Sequence, residues 1–269
     1  MKIGIIGFGN MGTALAEGVI SDRKFSFDDI VVSDKDEKKI SIAKKKGFKT
    51  AINKEVVKES DVIILSVKPS IIEEVIEEIN PVLDNRKLLI SIAAGVKIKG
   101  IEKKLKKKIP VIRVMPNLNV KVKMGIIVYC KGKYTKDKKY DLIFNEIFSS
   151  LGIVMKMPEG KFDTITAISG SGPGFIFYIA DVLKKICEKK GIKSKKAVAL
   201  IKGLFYGSGK MLFESKKTPE ELKNMVCSPK GTTIAGIEVF EKNNFPEIFE
   251  KVINKSEKRS KQLSRGGKK

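Results

Sequence analysis

Ile3-Gly4-Ile5-Ile6-Gly7-Phe8-Gly9-Asn10-Met11-Gly12 places Gly-x-Gly-x-x-Gly between a short apolar run and an amphipathic one. Each glycine has a separate task. Gly7 permits the tight turn out of a strand, Gly9 lets a pyrophosphate reach the backbone, and Gly12 lets the following helix pack against that strand. The free N–H groups and partial positive charge of the helix start then face the phosphates. Ile6, Gly7, Phe8, Gly9, Asn10, Met11 and Gly12 are therefore candidate contacts for a dinucleotide. The next apolar run ends in Ser33-Asp34-Lys35. An acidic residue at that point accepts from adenosine ribose hydroxyls and favours NADH. Ser33 and Lys35 beside it suit the 2′-phosphate of NADPH, so both cofactors stay open. Asp34 can also be read as the cap of a helix beginning near Glu37.

Working outward, apolar strand-like runs at Lys2–Ile6, Ile30–Ser33, Val62–Val67, Leu88–Ala93 and Val111–Met115 alternate with helix patterns. Those patterns cover Asn10–Ile20, Glu37–Lys46, Ser70–Ile79 and Lys99–Lys107. Apolar strands separated by helices imply a parallel sheet covered on both faces. Two further strands, Ile126–Tyr129 and Ile153–Met157, flank a helix over Lys136–Ser149. Beyond Pro158-Glu159-Gly160 the strand signals stop, and apolar residues recur at helical spacing, as in Phe175, Ile179, Val182, Leu183 and Ile186. The expected division is 1–160 for an α/β dinucleotide-binding domain and 161–269 for a helical one. In the second, Ala199, Gly203 and Gly207 stack on one helix face. Glycine inside a helix costs about 1 kcal/mol against alanine, so the stripe implies close approach of another backbone, in the same chain or in a second copy.

Composition removes several classes of function. The 269 residues contain no histidine. That excludes a Ser-His-Asp triad, a histidine base and a histidine-bound zinc. Cys130, Cys187 and Cys227 are scattered, with no C-x-x-C pair, so no metal site and no disulfide framework is expected. Unpaired thiols suit a reducing cytoplasm. The formal charge is +23, yet arginine is scarce and the lysine runs at Lys103–Lys108 and Lys193–Lys196 contain no aromatic residue. Base-reading proteins rely on arginine forks and aromatic platforms; the charge here reads as solvated surface, with no nucleic-acid partner. No apolar run is long enough for a bilayer, and neither a membrane partner nor a secretory leader is expected.

Five more segments narrow the reading. They are Ser66-Val67-Lys68-Pro69 with Ser91-Ile92-Ala93-Ala94-Gly95-Val96, then Arg113-Val114-Met115-Pro116-Asn117, then Ser169-Gly170-Ser171-Gly172-Pro173, and finally Val226-Cys227-Ser228-Pro229-Lys230-Gly231-Thr232-Thr233. With the N-terminal glycines, this ordered set resembles the pyrroline-5-carboxylate reductase family along nearly the whole chain. The Ser-Pro-x-Gly-Thr-Thr segment is its most specific part. The resemblance implies an α/β N-terminal Rossmann-type doubly wound sheet followed by an all-α dimerisation domain. It implies reduction of 1-pyrroline-5-carboxylate to proline with NADPH or NADH, and self-association as a homodimer or a decamer. It also places Ser66, Val67, Lys68, Pro69, Ile92, Ala93 and Ala94 along the cofactor and Asn53 near its adenosine end. Val226, Ser228, Gly231, Thr232 and Thr233 become the substrate site. Two departures stand out: Lys230 where the family usually has glycine, and Asn117-Leu118-Asn119 where it usually has Asn-Thr-Pro.

The implied chemistry agrees with the missing histidine. An imine accepts hydride once its nitrogen is protonated, and that proton can come from water. Thr233, the candidate catalytic residue, need only make one hydrogen bond to the nitrogen, while Ser228 and the N–H groups of Gly231 and Thr232 cradle the carboxylate. Orientation then carries the rate, and the cofactor carries the hard step. A β-hydroxyacid dehydrogenase shares the architecture, but Gly170–Phe177 lacks the lysine and asparagine that such an enzyme places there. A non-catalytic dinucleotide-binding regulator is the other alternative; a complete substrate loop argues for an enzyme.

Overall fold

The structure, a computed structural model, describes residues 1–22 and 24–264. Among them, β1 (Ile3–Ile6), β2 (Ile30–Ser33), β3 (Lys49–Thr50), β4 (Val62–Leu65), β5 (Leu88–Ser91), β6 (Val111–Pro116), β7 (Gly125–Lys131) and β8 (Gly152–Lys156) form one sheet. Its order is β3-β2-β1-β4-β5-β6-β7-β8. The order reverses between β1 and β4, which opens a crevice at the carboxyl ends of these strands. Pairing is parallel throughout except at β6–β7. That exception follows from the short connection from Asn117 to Met124, since a parallel return needs a crossover of a dozen or more residues. The two-residue β3 gives no alternation to detect in the sequence.

Both faces of the sheet are covered. Ile3, Ile5, Val32, Ile64, Ile90 and Ile112 pack with α1 (Asn10–Ile20) and α6 (Lys139–Phe148). The alternate residues Ile6, Val31, Ile63, Leu65, Leu89 and Val111 pack with α3 (Asn53–Glu59), α4 (Ile72–Ile79) and α5 (Ile98–Lys104). This explains why the strands read as unbroken apolar runs: each successive side chain enters one of two cores. Full burial of such a side chain is worth roughly 1.5–3 kcal/mol. The helix after β2, α2 (Glu37–Lys45), is capped by Asp36, whose carboxylate accepts from the Lys38 N–H at 2.9 Å. Asp34 is not the cap.

The chain divides into two compact units, Met1–Ser171 with the chain from Lys255 onward, and Gly172–Asn254. Strands stop at Lys156, close to residue 160 where the sequence pattern changes, but the first unit extends past that point. The cause is α7 (Phe162–Ile165) and the π-helical turn Thr166–Gly170 that follows it. Phe162 and Ala167 are fully buried, and the Arg113 guanidinium lies 4.7 Å from the Phe162 ring centroid. Arg113 also pairs with Glu159 at 3.1 Å. The later part of α12 (Phe245–Ser264) bonds to the same segment, with Ser260 Oγ donating to Asp163 at 2.6 Å and Thr164 Oγ1 to Glu257 at 3.1 Å. The second unit is helical, built from α8 (Gly172–Lys189), α9 (Ser194–Glu214), α10 (Pro219–Val226), α11 (Thr232–Lys242) and the start of α12.

Candidate active site

The glycine loop joins β1 to α1 at the crevice. Gly7 has φ 101°, a left-handed conformation that excludes ordinary side chains, and a methyl group there would also lie 2.7 Å from the Ser66 carbonyl carbon. Gly12 lies against the Gly7 carbonyl, so a methyl group there has no room. Gly9 is different: a methyl group on it would meet nothing within 4 Å. Gly9 is also the N-cap of α1, and no side chain caps that helix start. The first-turn N–H groups therefore have no partner within the helix. Open space over a glycine at an uncapped helix start fits a pyrophosphate. The Phe8 ring faces away from this space, buried edge-to-face on Phe48 at 5.6 Å. Ile6 is likewise buried, so both residues meet a ligand through backbone only.

At one side of the loop, a cavity of about 400 Å³ is lined by Ser33, Asp34, Lys35, Asn53 and Glu78, together with residues of the β3 edge. Asp34 is largely engaged. Its carboxylate accepts from the Phe8 N–H at 2.8 Å and the Asp36 N–H at 3.0 Å, and pairs with Lys39 at 3.2 Å. It thereby ties the glycine loop to the end of β2. Ser33 Oγ donates to Asn53 Oδ1 at 2.7 Å, and Asn53 Nδ2 donates to Glu78 at 2.6 Å. Sequence reasoning missed Glu78 and Lys39. Glu78 lies on the charged face of α4, and no local spacing signals that it meets a residue of α3.

At the other side, a cavity of about 190 Å³ is lined by Met11, Ser66, Val67, Ile92, Ala93, Ala94, Met115 and Pro116. It sits beyond the ends of β4, β5 and β6, where an open α/β sheet receives its ligand. Lys68 and Pro69 instead line a third, larger cavity, with Gly95, Val96 and Lys97. Asn117, which departs from the family at its neighbours, has a structural task. Its Nδ2 donates to the Ser169 carbonyl at 3.2 Å, and its Oδ1 accepts from the Ile126 N–H at 3.0 Å.

In the second unit, the segment from Val226 to Thr233 turns between α10 and α11. The Gly231 N–H donates to the Ser228 carbonyl at 2.9 Å, closing a tight turn. This corrects one expectation, because that N–H is consumed and is not offered to a ligand. Gly231 is the N-cap of α11 and no side chain caps it, so the N–H groups of Thr232 and Thr233 have no partner within the helix. Val226, Ser228, Thr232 and Thr233 are exposed. Lys230 has φ 59°, a left-handed conformation that glycine adopts without cost; this gives a backbone reason for glycine at the position in relatives.

Other sites are quiet. Burial pushes the Cys130 thiol up to about 12, helped by the nearby Glu159 charge, which removes it as a nucleophile. Among the described residues no cluster could hold a metal ion, and no helix is long and apolar enough to cross a membrane. In the second unit large apolar side chains face outward: Phe177, Leu200, Leu204, Met211 and Phe213 are each about half exposed. Gly203 and Gly207 have nothing within 4 Å of where a methyl group would stand. Among the described residues, none supplies the backbone implied by their stripe.

The family model described as pyrroline-5-carboxylate reductase dimerisation matches residues 159–263. A second, described as NADP oxidoreductase coenzyme F420-dependent, matches residues 2–95. A pyrroline-5-carboxylate reductase of Methanosarcina acetivorans is 36% identical, with 98% of each chain covered. The solved structure of a pyrroline-5-carboxylate reductase from Coxiella burnetii is 32% identical, with TM-score 0.89 and 98% of each chain covered. That of the Plasmodium falciparum enzyme with NADP bound is 29% identical, with TM-score 0.87 and the same coverage.

Proposed function

The chain belongs to the pyrroline-5-carboxylate reductase family and reduces 1-pyrroline-5-carboxylate to proline with NADPH or NADH; from that premise we propose how its own residues divide the work. The reduced nicotinamide supplies the hydride when bound. The loop Ile6–Gly12 holds the pyrophosphate over the uncapped start of α1. Ser33, Asp34, Lys35 and Asn53 surround the adenosine end, and Ser66, Val67, Ile92, Ala93 and Ala94, joined by Met115 and Pro116, enclose the nicotinamide end. Lys68 and Pro69 follow directly on Val67 and line the neighbouring cavity with Gly95, Val96 and Lys97, beside the nicotinamide end.

The substrate carboxylate is held at the uncapped start of α11 by the Thr232 and Thr233 N–H groups and the Ser228 hydroxyl. Val226 and the turn at Gly231 shape that pocket. The single observation that carries this reading is the helix start itself: two donors without helix partners behind a turn that has consumed the Gly231 N–H. An anion is the natural complement to such donors. The Thr233 hydroxyl acts on the ring nitrogen and holds its proton in place as hydride arrives at the neighbouring carbon. Steady-state kinetics separate the two roles. Thr233→Ala lowers kcat, because without that hydroxyl the protonated ring nitrogen is no longer held in the orientation that hydride transfer needs. Ser228→Ala raises KM with kcat retained, because a carboxylate contact is alike in ground and transition states. Each loss is worth roughly 1.5–3 kcal/mol, about one to two decades. Parental turnover by Thr233→Ala would leave the proton chemistry to water and overturn its role.

The chain self-associates through its dimerisation domain. We assign the contact to the outward apolar faces of α8 and α9 and to the Ala199, Gly203 and Gly207 stripe; further assembly to a decamer would build on that dimer. The three free thiols support a reducing, cytoplasmic location. The lysine-rich surface, without aromatic platforms, supports small-molecule chemistry with neither a nucleic-acid nor a membrane partner.

A further inference from the structure

Three side chains in the cavity beside β2 fix one another's hydrogen-bond direction, starting from Glu78. A carboxylate only accepts, so the Asn53 amide must turn its nitrogen toward Glu78, 2.6 Å away. The amide oxygen is then left facing Ser33, and the Ser33 hydroxyl must donate to it, at 2.7 Å. With its one hydrogen spent, Ser33 can offer the cavity only lone pairs. Asp34, next in the chain, is also an acceptor, and its paired cation Lys39 is already engaged. The wall at the end of β2 therefore accepts hydrogen bonds and carries two carboxylates; the exposed Lys35 lines the same cavity, is present in every variant compared below, and does not change the direction in which Ser33 bonds.

We propose that Glu78, acting through Asn53, sets Ser33 as an acceptor and so selects a cofactor with a free ribose 2′-hydroxyl over one with a 2′-phosphate. Glu78 is a positioning residue: it acts through Asn53 on the group that meets the ribose. A 2′-hydroxyl has a hydrogen to give to Ser33. A 2′-phosphate at pH 7 brings only acceptors and negative charge. The inference rests on the assignment of this cavity to the adenosine end of the cofactor.

Glu78→Gln tests it, because an amide can donate where a carboxylate cannot. The substituted amide can give a hydrogen to Asn53 Oδ1, which turns the Asn53 nitrogen toward Ser33 and frees the Ser33 hydrogen for a phosphate. Calorimetry with ADP and with 2′,5′-ADP reads the adenosine end alone, without turnover. The parent protein should bind ADP more tightly than 2′,5′-ADP. In Glu78→Gln the ratio should move toward 2′,5′-ADP by at least about tenfold, the worth of one hydrogen bond to a charged group. Adding Ser33→Ala to Glu78→Gln should abolish that gain, and Glu78→Ala, which supplies no donor, should shift the ratio less. A merely structural Glu78 would weaken both ligands alike. Binding of both fragments with an unchanged ratio in both Glu78→Gln and Glu78→Ala overturns the relay and leaves the cofactor assignment standing. Failure of the parent to bind either fragment, or to have NADH displace them, overturns both.

Discussion

Replacing Gly9 with alanine should separate cofactor binding from folding. A methyl group on Gly9 enters open space, whereas one on Gly7 would stand 2.7 Å from the Ser66 carbonyl carbon at a φ of 101°. Gly9 is a helix N-cap, where alanine is a poorer residue, so Gly9→Ala should cost the free protein at most about 1 kcal/mol. For a protein of this size that is a fall in Tm of roughly 2–4 °C. The same methyl group occupies the space in which a phosphate oxygen must approach the N–H groups of the first turn of α1. Losing one such charge-assisted bond costs roughly 1.5–3 kcal/mol, so Kd for NADH should rise by about one to two decades. Gly7→Ala should behave in the opposite way, with strain of roughly 1–3 kcal/mol appearing directly in stability. Thermal unfolding without ligand and fluorescence titration with NADH measure the two quantities. Parental affinity in a folded Gly9→Ala protein would refute the path of the pyrophosphate over Gly9.

Asp34→Ser should raise the ratio of kcat/KM for NADPH over NADH, at some loss of stability because the Phe8 and Asp36 N–H groups lose their acceptor; an unchanged ratio would mean that the carboxylate does not reach the ribose. Gly203→Leu should overpack the subunit contact, by roughly 1–3 kcal/mol, and sedimentation should show smaller species. A folded variant of unchanged mass would remove the stripe from the interface. Lys230→Gly should relieve a left-handed lysine, worth roughly 1–2 kcal/mol, partly offset by the greater freedom of glycine in the unfolded chain. A net rise in Tm is expected, and a fall would mean that the Lys230 side chain holds the loop through a contact of its own.

The parts of the fold that are legible in the sequence are those with a strong period or a strong constraint. Gly7, Gly9 and Gly12 can be read because each position punishes a side chain in a different way. The four-residue runs of β1, β4 and β5 can be read because burial on both faces leaves almost no polar residue in them. β3 and α3 are not legible: a two-residue edge strand has no alternation, and Asn53–Glu59 is short and half charged. The antiparallel turn at β6–β7 depends on connection length, which strand patterns alone do not weigh. At the site, Ser33, Asp34 and Asn53 are marked by the sequence but their partners are not. Glu78 and Lys39 look like ordinary surface charges until the chain folds. The consumption of the Gly231 N–H by Ser228 is likewise a property of turn geometry, invisible in Ser-Pro-Lys-Gly.

Turnover tests the assigned reaction most directly. Oxidation of NADH and of NADPH at equal concentration should be followed with and without 1-pyrroline-5-carboxylate, with proline quantified at the end. The reduced cofactor should disappear only when the imine is present, with proline formed mole for mole. Binding of either cofactor with no imine-dependent oxidation would contradict the assignment and leave a dinucleotide-binding protein without this reaction.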